Sequence, residues 1–366
     1  MLRALKFQPL DIWSKTLIPE KFTDFIANDS VRQILANYAE TKLLPNLLLT
    51  GSHGTCKKNF AVLTAKLYLE EDYAKGCLHI DGAVSRGKDI ISSSQGAKKT
   101  GEKAGGYTGM NVMEFSKIRM TLKGGVKRIV IIYNFEDMTV DAQNALRRIM
   151  ETQAGTTRFI LISNTVDNII EAIQSRCITL HTDILTDAET AQLIDKIRAK
   201  TGTAGPQWDP EIYNIIAMLS DGDMRKIVNY IQVISALPEK NVECFHRVFN
   251  IPHVKMLTTM LDHGRSAATQ ERVLQDITFI TKQGYTYSDI LEMLSKIIPR
   301  YTGLSLEIRI KYLEVLSRYY CDITPHINIV HLYSLFAEFA KIATEFSPPV
   351  TPCPSPSPSP SPGLRV

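Results

Sequence analysis

The sequence predicts an α/β domain with a doubly wound parallel sheet, followed by regions that are all helix. Three observations carry that expectation. An apolar run, LLPNLLLT (43–50), leads into a glycine loop, GSHGTCKKN (51–59), and then into a helical stretch, FAVLTAKLYLEE (60–71). Strand, glycine loop and helix in that order frame a phosphate-binding turn, because loop N–H groups and a helix N-terminus then face one point. From there to about residue 182, short β-branched runs alternate with segments of helical period, as a parallel sheet covered on both faces requires. Past residue 182 the apolar spacing is helical.

Taken in order, VRQILANYAETK (31–42) has the apolar spacing of a helix, the glycine-loop unit follows, and CLHIDG (77–82) reads as a short strand. SSSQGAKKTGEKAGGYTG (92–109) is rich in Gly, Ser and Lys and is expected to be a mobile loop. A helix is expected over 111–122, a buried strand in RIVIIYN (128–134) and a capped, Ala-rich helix in TVDAQNALRRIMET (139–152). RFILISN (158–164) is a second buried strand, 168–176 a short helix, and CITLHT (177–182) a last strand. Helices are then expected over 187–200, 210–220 and 224–236, with long helical patterns from 240 to 346 punctuated by Gly264 and Gly284. PPVTPCPSPSPSPSPG (348–363) cannot bury apolar surface and is expected to be extended and disordered, as a linker, a solubilising tail or a target for proline-directed kinases. The expected division is 1–182, 183–238, 239–346 and a tail over 347–366.

The net charge of +4 permits contact with nucleic acid without demanding it. The six cysteines are scattered, with no C-x-x-C pair, which argues against zinc and fits a reduced, intracellular protein. No apolar run approaches the roughly 18–20 residues of a membrane span, and the N-terminus has no signal-peptide pattern. Against the pattern G-x-x-x-x-G-K-[ST], Gly51 and Lys57 are in place, but Cys56 replaces the second glycine and Lys58 replaces the hydroxyl residue. A side chain at 56 crowds the loop, and an ammonium at 58 cannot ligate a cation.

Several ordered motifs resemble those of the small subunits of replication factor C, the sliding-clamp loader of the AAA+ ATPase superfamily. The stretch that carries the resemblance runs roughly over 13–346. Trp13 and Pro19 keep the spacing of the family's W-x-x-K-Y-R-P. LPNLLLTGSHGTCKK (44–58) stands for LPHLLLTGPPGTGKT, and YNFEDMTVDAQNALRRIME (133–151) for DEADSMTxDAQxALRRxME. RFILISN, IQSRC (173–177) and GDMRKIVNYIQ (222–232) match RFILxCN, IxSRC and GDMRKxxNxLQ. The resemblance implies an AAA+ P-loop domain over 1–182, a small helical lid domain over 183–238 and a helical collar for oligomerisation over 239–346.

It also implies roles. Tyr133 stands where the strand-end Asp holds Mg²⁺, and Asn134 where a Glu orients the attacking water, so both halves of the metal site are lost together. Glu136 matches the last Asp of that box, and neither it nor Asp137 is expected to restore the site. Asn164 falls at the sensor-1 position and Arg225 at the sensor-2 position. With Gly51, Gly54 and Lys57 they leave room for ATP or ADP in a degenerate pocket, with no Mg²⁺ bound; in the plainer alternative Arg225 pairs with Asp223. Arg176, in the intact Ser-Arg-Cys, is expected to act in trans as an arginine finger on the adjacent subunit's nucleotide. Arg147 and Arg148 resemble supporting residues on that interface.

For DNA, Arg86 matches the Arg of the family's SDERG segment, Lys88 is gained beside it, and the N-terminus of the 139–152 helix is a second candidate. Lys98, Lys99 and Lys103 belong to an insertion that either touches DNA or clamp or is a solvated excursion. The implied partners are the other clamp-loader subunits of a hetero-pentamer, the sliding clamp, and primer–template DNA without sequence specificity, with no membrane. The implied location is intracellular: the nucleus in a eukaryote, otherwise the cytoplasm or a viral replication site. By itself the chain is not expected to be an enzyme. Two alternatives stand beside this reading: an active AAA+ ATPase with a drifted loop, and a non-catalytic AAA+ scaffold.

Overall fold

A computed structural model of the chain describes residues 12–84, 86–87, 91, 100–103, 106–108, 111–118, 122–201, 208–237, 239, 241–265, 270–321 and 329–346. Lys88, Lys98, Lys99 and the Pro/Ser tail lie outside the described residues. The chain divides into two compact units, Met1–Val242 and Glu243–Val366.

The first unit opens with α1 (Trp13–Thr16) and α2 (Asp29–Thr41). Then come β1 (Leu47–Gly51), α3 (Lys57–Leu69), α4 (Tyr73–Gly76) and β2 (Cys77–Asp81). After β3 (Thr100–Lys103), β4 (Gly106–Thr108) and α5 (Val112–Lys117) the chain forms β5 (Arg128–Tyr133), α6 (Val140–Thr152) and β6 (Thr157–Ile162). The α/β part closes with α7 (Glu171–Gln174) and β7 (Ile178–Thr182). The strands lie in the order β3-β4-β2-β5-β6-β1-β7. All neighbours are parallel except β3 and β4, which are antiparallel.

The sequence predicts loop throughout 92–109, and here the structure differs. Thr100 faces Thr108 across β3 and β4, and Tyr107 pairs with Leu78 of β2. The edge of β2 presents unpaired backbone groups, and Thr and Tyr suit an extended partner, so part of the insertion joins the sheet.

Burial explains why the strands are so apolar. Leu47 and Leu49 of β1, Ile129 and Ile131 of β5, and Ile160 and Ile162 of β6 pack on one face with Leu35, Phe60 and Tyr68 of α2 and α3. The residues between them, Leu48, Val130, Ile132, Phe159 and Leu161, pack on the other face with Phe115, Leu146, Ile149 and Ile173. A strand covered on both sides has no polar face to show. Three more helices complete the unit: α8 (Asp187–Thr201), α9 (Pro210–Ser220) and α10 (Met224–Ala236). Asp209 starts α9 by accepting from the N–H of Glu211, and Asp223 starts α10 by accepting from those of Arg225 and Lys226. The backbone N–H of Trp13 donates to Gln232 Oε1 at 3.1 Å, which ties α1 to α10.

The second unit is helical, with α11 (Val242–Phe249) at its start, then α12 (Val254–Arg265), α13 (Gln270–Lys282), α14 (Tyr287–Ile297), α15 (Leu306–Cys321) and α16 (Ile329–Phe346). Its core includes Leu257, Ile277, Leu294 and a stacked pair, Tyr312 and Phe339, with ring centres 4.1 Å apart. Among the described residues no helix is long and apolar enough to cross a membrane.

Because the main strands are parallel, β1, β5, β6 and β7 all end at one edge. β1 lies between β6 and β7, so the loop that follows it opens where the chain winds away to either side. That edge gathers the candidate residues.

Candidate functional site

The glycine loop is fastened on three sides by its own chain. Gly51 has φ of 137°, and a Cβ there would stand 2.2 Å from the carbonyl oxygen of Thr182 in β7. Gly54 has φ of 78°, and a Cβ there would stand 2.0 Å from Asp223 Oδ1. The N–H of Met224 donates to Gly54 O at 3.2 Å, and Cys56 Sγ lies 3.1 Å from Met224 Sδ. Cys56 itself takes a left-handed backbone, with φ of 60°, as the unassisted N-cap of α3. Burial pushes its thiol up to about 11, so it stays protonated and inert.

Lys57 is turned inward. Its ammonium donates to the carbonyls of Gly51 and Ser52, each at 2.6 Å. Burial pushes it down to about 8, with the nearby charge of Glu136 pulling the other way. In this pose the ammonium staples the loop to itself. Arg225 acts through its backbone, donating N–H to Asp223 Oδ1 at 2.8 Å, and no ion pair joins the two side chains. Arg225 also lines a cavity of about 100 Å³ with Leu17, Phe25, Cys56, Ile197 and Met224. Ligand pockets usually measure about 300–1,000 Å³. Phosphates approaching the loop would meet the Asp223 carboxylate over Gly54.

The positions that the resemblance aligns with metal ligands carry other side chains, and these engage one another. Lys58 Nζ sits 4.8 Å from the centre of the Tyr133 ring. Tyr133 Oη lies 2.7 Å from His79 Nδ1, and His79 Nε2 lies 3.0 Å from Tyr73 Oη. Burial raises both phenols above their usual range, so neither supplies a phenolate. Asn134 takes a left-handed backbone and donates Nδ2 to Asp81 Oδ1 at 2.9 Å. An ammonium, a neutral phenol and an amide do not fit Mg²⁺, which takes hard oxygen ligands. Among the described residues no group of three or more His, Cys, Asp and Glu is placed to hold a metal. Asn164 reaches the same edge but is spent on Glu136, whose Oε1 accepts from the Asn164 N–H at 3.1 Å and from Nδ2 at 2.6 Å. Glu136 Oε2 is buried without a hydrogen-bond partner.

Gly51, Gly54, Lys57, Asn164 and Arg225 thus converge at one edge of the sheet. Arg176 stands in the turn between α7 and β7. Its Nη1 donates to Ala172 O at 2.7 Å, and its Nη2 pairs with Glu151 Oε1 at 2.6 Å. Arg147 Nε donates to the same oxygen at 3.2 Å. The Arg147 hydrogen bond, with the Arg176 charge behind it, holds the Glu151 carboxyl below its usual range.

Arg86 is exposed, and its carbonyl accepts from the N–H of Thr139, the N-cap of α6, at 3.1 Å. The two candidates for DNA phosphate contact therefore meet through the Arg86 backbone, while the Arg86 side chain donates Nε to Ala83 O at 3.2 Å. Sequence reading missed three partners: Asp223 over Gly54, His79 beneath Tyr133, and Glu151 on Arg176. The Asp-x-Arg start of α10 signals a capping Asp, but no local pattern says that the cap also covers the loop.

Comparison with known proteins agrees with the sequence motifs. A family model described as DNA polymerase III, delta subunit, matches residues 26–185. The replication factor C small subunit of Staphylothermus marinus is 29% identical over 250 residues, which cover 68% of this chain and 70% of that protein. Replication factor C subunit 4 of Oryza sativa is 27% identical over 337 residues, 90% of this chain and 92% of its own length. The small subunit of Picrophilus torridus is 32% identical over 231 residues, 63% of this chain and 66% of that protein.

Proposed function

This chain is a relative of the replication factor C small subunits, and on that premise we propose that it hydrolyses no ATP in its own pocket and lends Arg176 to the pocket of a neighbouring subunit. The broader role is that of a clamp-loader small subunit in DNA replication. Phosphoryl transfer to water needs a cradle for the phosphates, a metal that bridges them and a group that orients the water. Here the cradle holds Lys57 and Asp223, and the Lys58–Tyr133 pair replaces the metal. That self-filled pocket is the observation that carries the reading. Arg176, by contrast, sits on the surface with its side chain about one-third exposed, where a second subunit can reach it. Arg86 and the start of α6 would lie along the phosphates of primer–template DNA, with other clamp-loader subunits and a sliding clamp as partners. Lys88, which lies outside the described residues, would add charge there.

Two experiments test the closed pocket. Titration of the purified chain with a fluorescent ATP analogue is expected to give binding weaker than about 1 mM, with no gain on adding Mg²⁺. Micromolar, Mg²⁺-dependent binding would restore the active-ATPase alternative. The second experiment reads the buried ammonium. Lys57 holds its proton more weakly folded, at about 8, than unfolded, at 10.5. Between pH 8 and 10 the unfolded chain therefore binds more protons, and this group makes the fold more stable as pH rises. Below pH 8 both states are protonated and the unfavourable burial is fully present. Lys57→Met should flatten that alkaline rise in urea unfolding curves relative to the wild type; parallel curves would place the ammonium in solvent.

A further inference from the structure

Resting on the trans role of Arg176, we propose that Glu151 is a positioning residue that keeps this arginine folded back on its own subunit until a γ-phosphate competes for it. Glu151 lies in the last turn of α6, where the carbonyl end of the helix disfavours a carboxylate. Two arginines offset that placement: Arg176 at 2.6 Å and Arg147 at 3.2 Å, both on Oε1. The other contacts of Arg176, to Ala172 O at 2.7 Å and Ser175 Oγ at 3.4 Å, hold the guanidinium in the same retracted pose.

The arrangement suits release. The Arg176 and Glu151 side chains are 33% and 43% exposed, and ion pairs at that exposure are weak and screened by salt. A terminal phosphate carries more charge than a carboxylate and accepts from a guanidinium through two oxygens, so it takes the arginine when it comes within reach. Glu151 is not orphaned by the departure, because Arg147 remains on it. The consequence is a subunit that withholds its finger while the interface is loose and offers it when the neighbour's nucleotide closes in.

The test uses the reconstituted complex with the neighbouring ATPase subunit. Glu151→Gln keeps the shape and removes the charge. It is expected to raise ATP turnover in the absence of DNA about two- to fivefold, the shift that loss of an exposed ion pair allows, and to leave the DNA- and clamp-stimulated maximum unchanged. The difference from wild type should shrink as salt rises, since salt screens the pair that the variant already lacks. A merely structural role for Glu151 would not produce that salt-dependent ratio. Glu151→Asp, which keeps the charge and shortens its reach, should give a smaller rise. The latch is overturned if Glu151→Gln leaves basal turnover unchanged or lowers it while Arg176→Ala still abolishes stimulation. If Arg176→Ala is itself silent, the trans role falls and the latch falls with it.

Discussion

Arg176→Ala, assembled into the clamp-loader complex, is expected to reduce DNA- and clamp-stimulated ATP turnover at the adjoining site by about 10³-fold or more, the usual effect of removing an arginine finger. In the proposed trans role the guanidinium would supply charge where it develops on the transferring phosphoryl group, and nothing else in the turn from Glu171 to Ile178 carries a positive charge. Lysine at 176 should not restore the rate, because a point charge does not reproduce the planar fork. The measurement is cleanest in a complex whose other ATP sites are disabled, so that one site is read alone. Loss of fold does not explain such an effect. The half-exposed pair with Glu151 is screened by solvent and contributes little to stability, so unfolding midpoints should be nearly equal. Lys57→Ala should leave turnover in the complex unchanged, since that ammonium serves only its own loop. A damaging Lys57→Ala beside a silent Arg176→Ala would reverse the assignment of the two residues.

Gly51→Ala is expected to be the most destabilising single change at the site, costing about 3 kcal/mol or more. The added Cβ would meet a backbone oxygen, Thr182 O at 2.2 Å, and β1 and β7 are paired at that register. Neither strand can retreat without breaking the ladder, and φ of 137° is strained for any side chain. Gly155→Ala is the matched control, because a Cβ there meets nothing within 4 Å. Thermal unfolding of the purified chain decides the matter: the Gly51 variant should lose many degrees and the Gly155 variant almost none. Equal midpoints would mean that Gly51 is kept for a ligand and not for the sheet.

That expectation explains which parts of the phosphate-binding motif survive. Gly51 makes room for Thr182, Gly54 makes room for Asp223, and Lys57 closes the loop on its own carbonyls. Each has work to do with no nucleotide present. The replaced positions, Cys56, Lys58, Tyr133 and Asn134, are those whose work in the resembling family is toward the ligand. The side chains at those positions contact Met224, His79 and Asp81, with Lys58 resting on the Tyr133 ring.

Much of the sheet is legible in the sequence because its strands are covered on both faces, so RIVIIYN and RFILISN need no polar alternation. β3 and β4 are not legible, because β4 is ordered by pairing with β2 and β3 by pairing with β4, and not by their own apolar content. At the site, the sequence shows plainly which residues stand at the positions where the resembling family has metal ligands. It does not show what the site residues contact, since Asp223 over Gly54 and Glu151 on Arg176 join segments that no local period connects.

The position of β1 has a consequence for how the first unit is made. Among the described residues β1 is the first strand in chain order, yet its partners are β6 and β7, and the bond from Thr182 Oγ1 to Thr50 O spans 132 residues. Leu47, Leu48 and Leu49, all fully buried in the finished fold, must wait unpaired until β6 emerges, on the order of ten seconds at ordinary rates of synthesis. Such long-range pairing is slow, and it leaves an apolar strand open to wrong partners in the interval. The bend at Gly51 is therefore among the last features of the unit to be set, fixed when Thr182 arrives and not when the glycine loop is made.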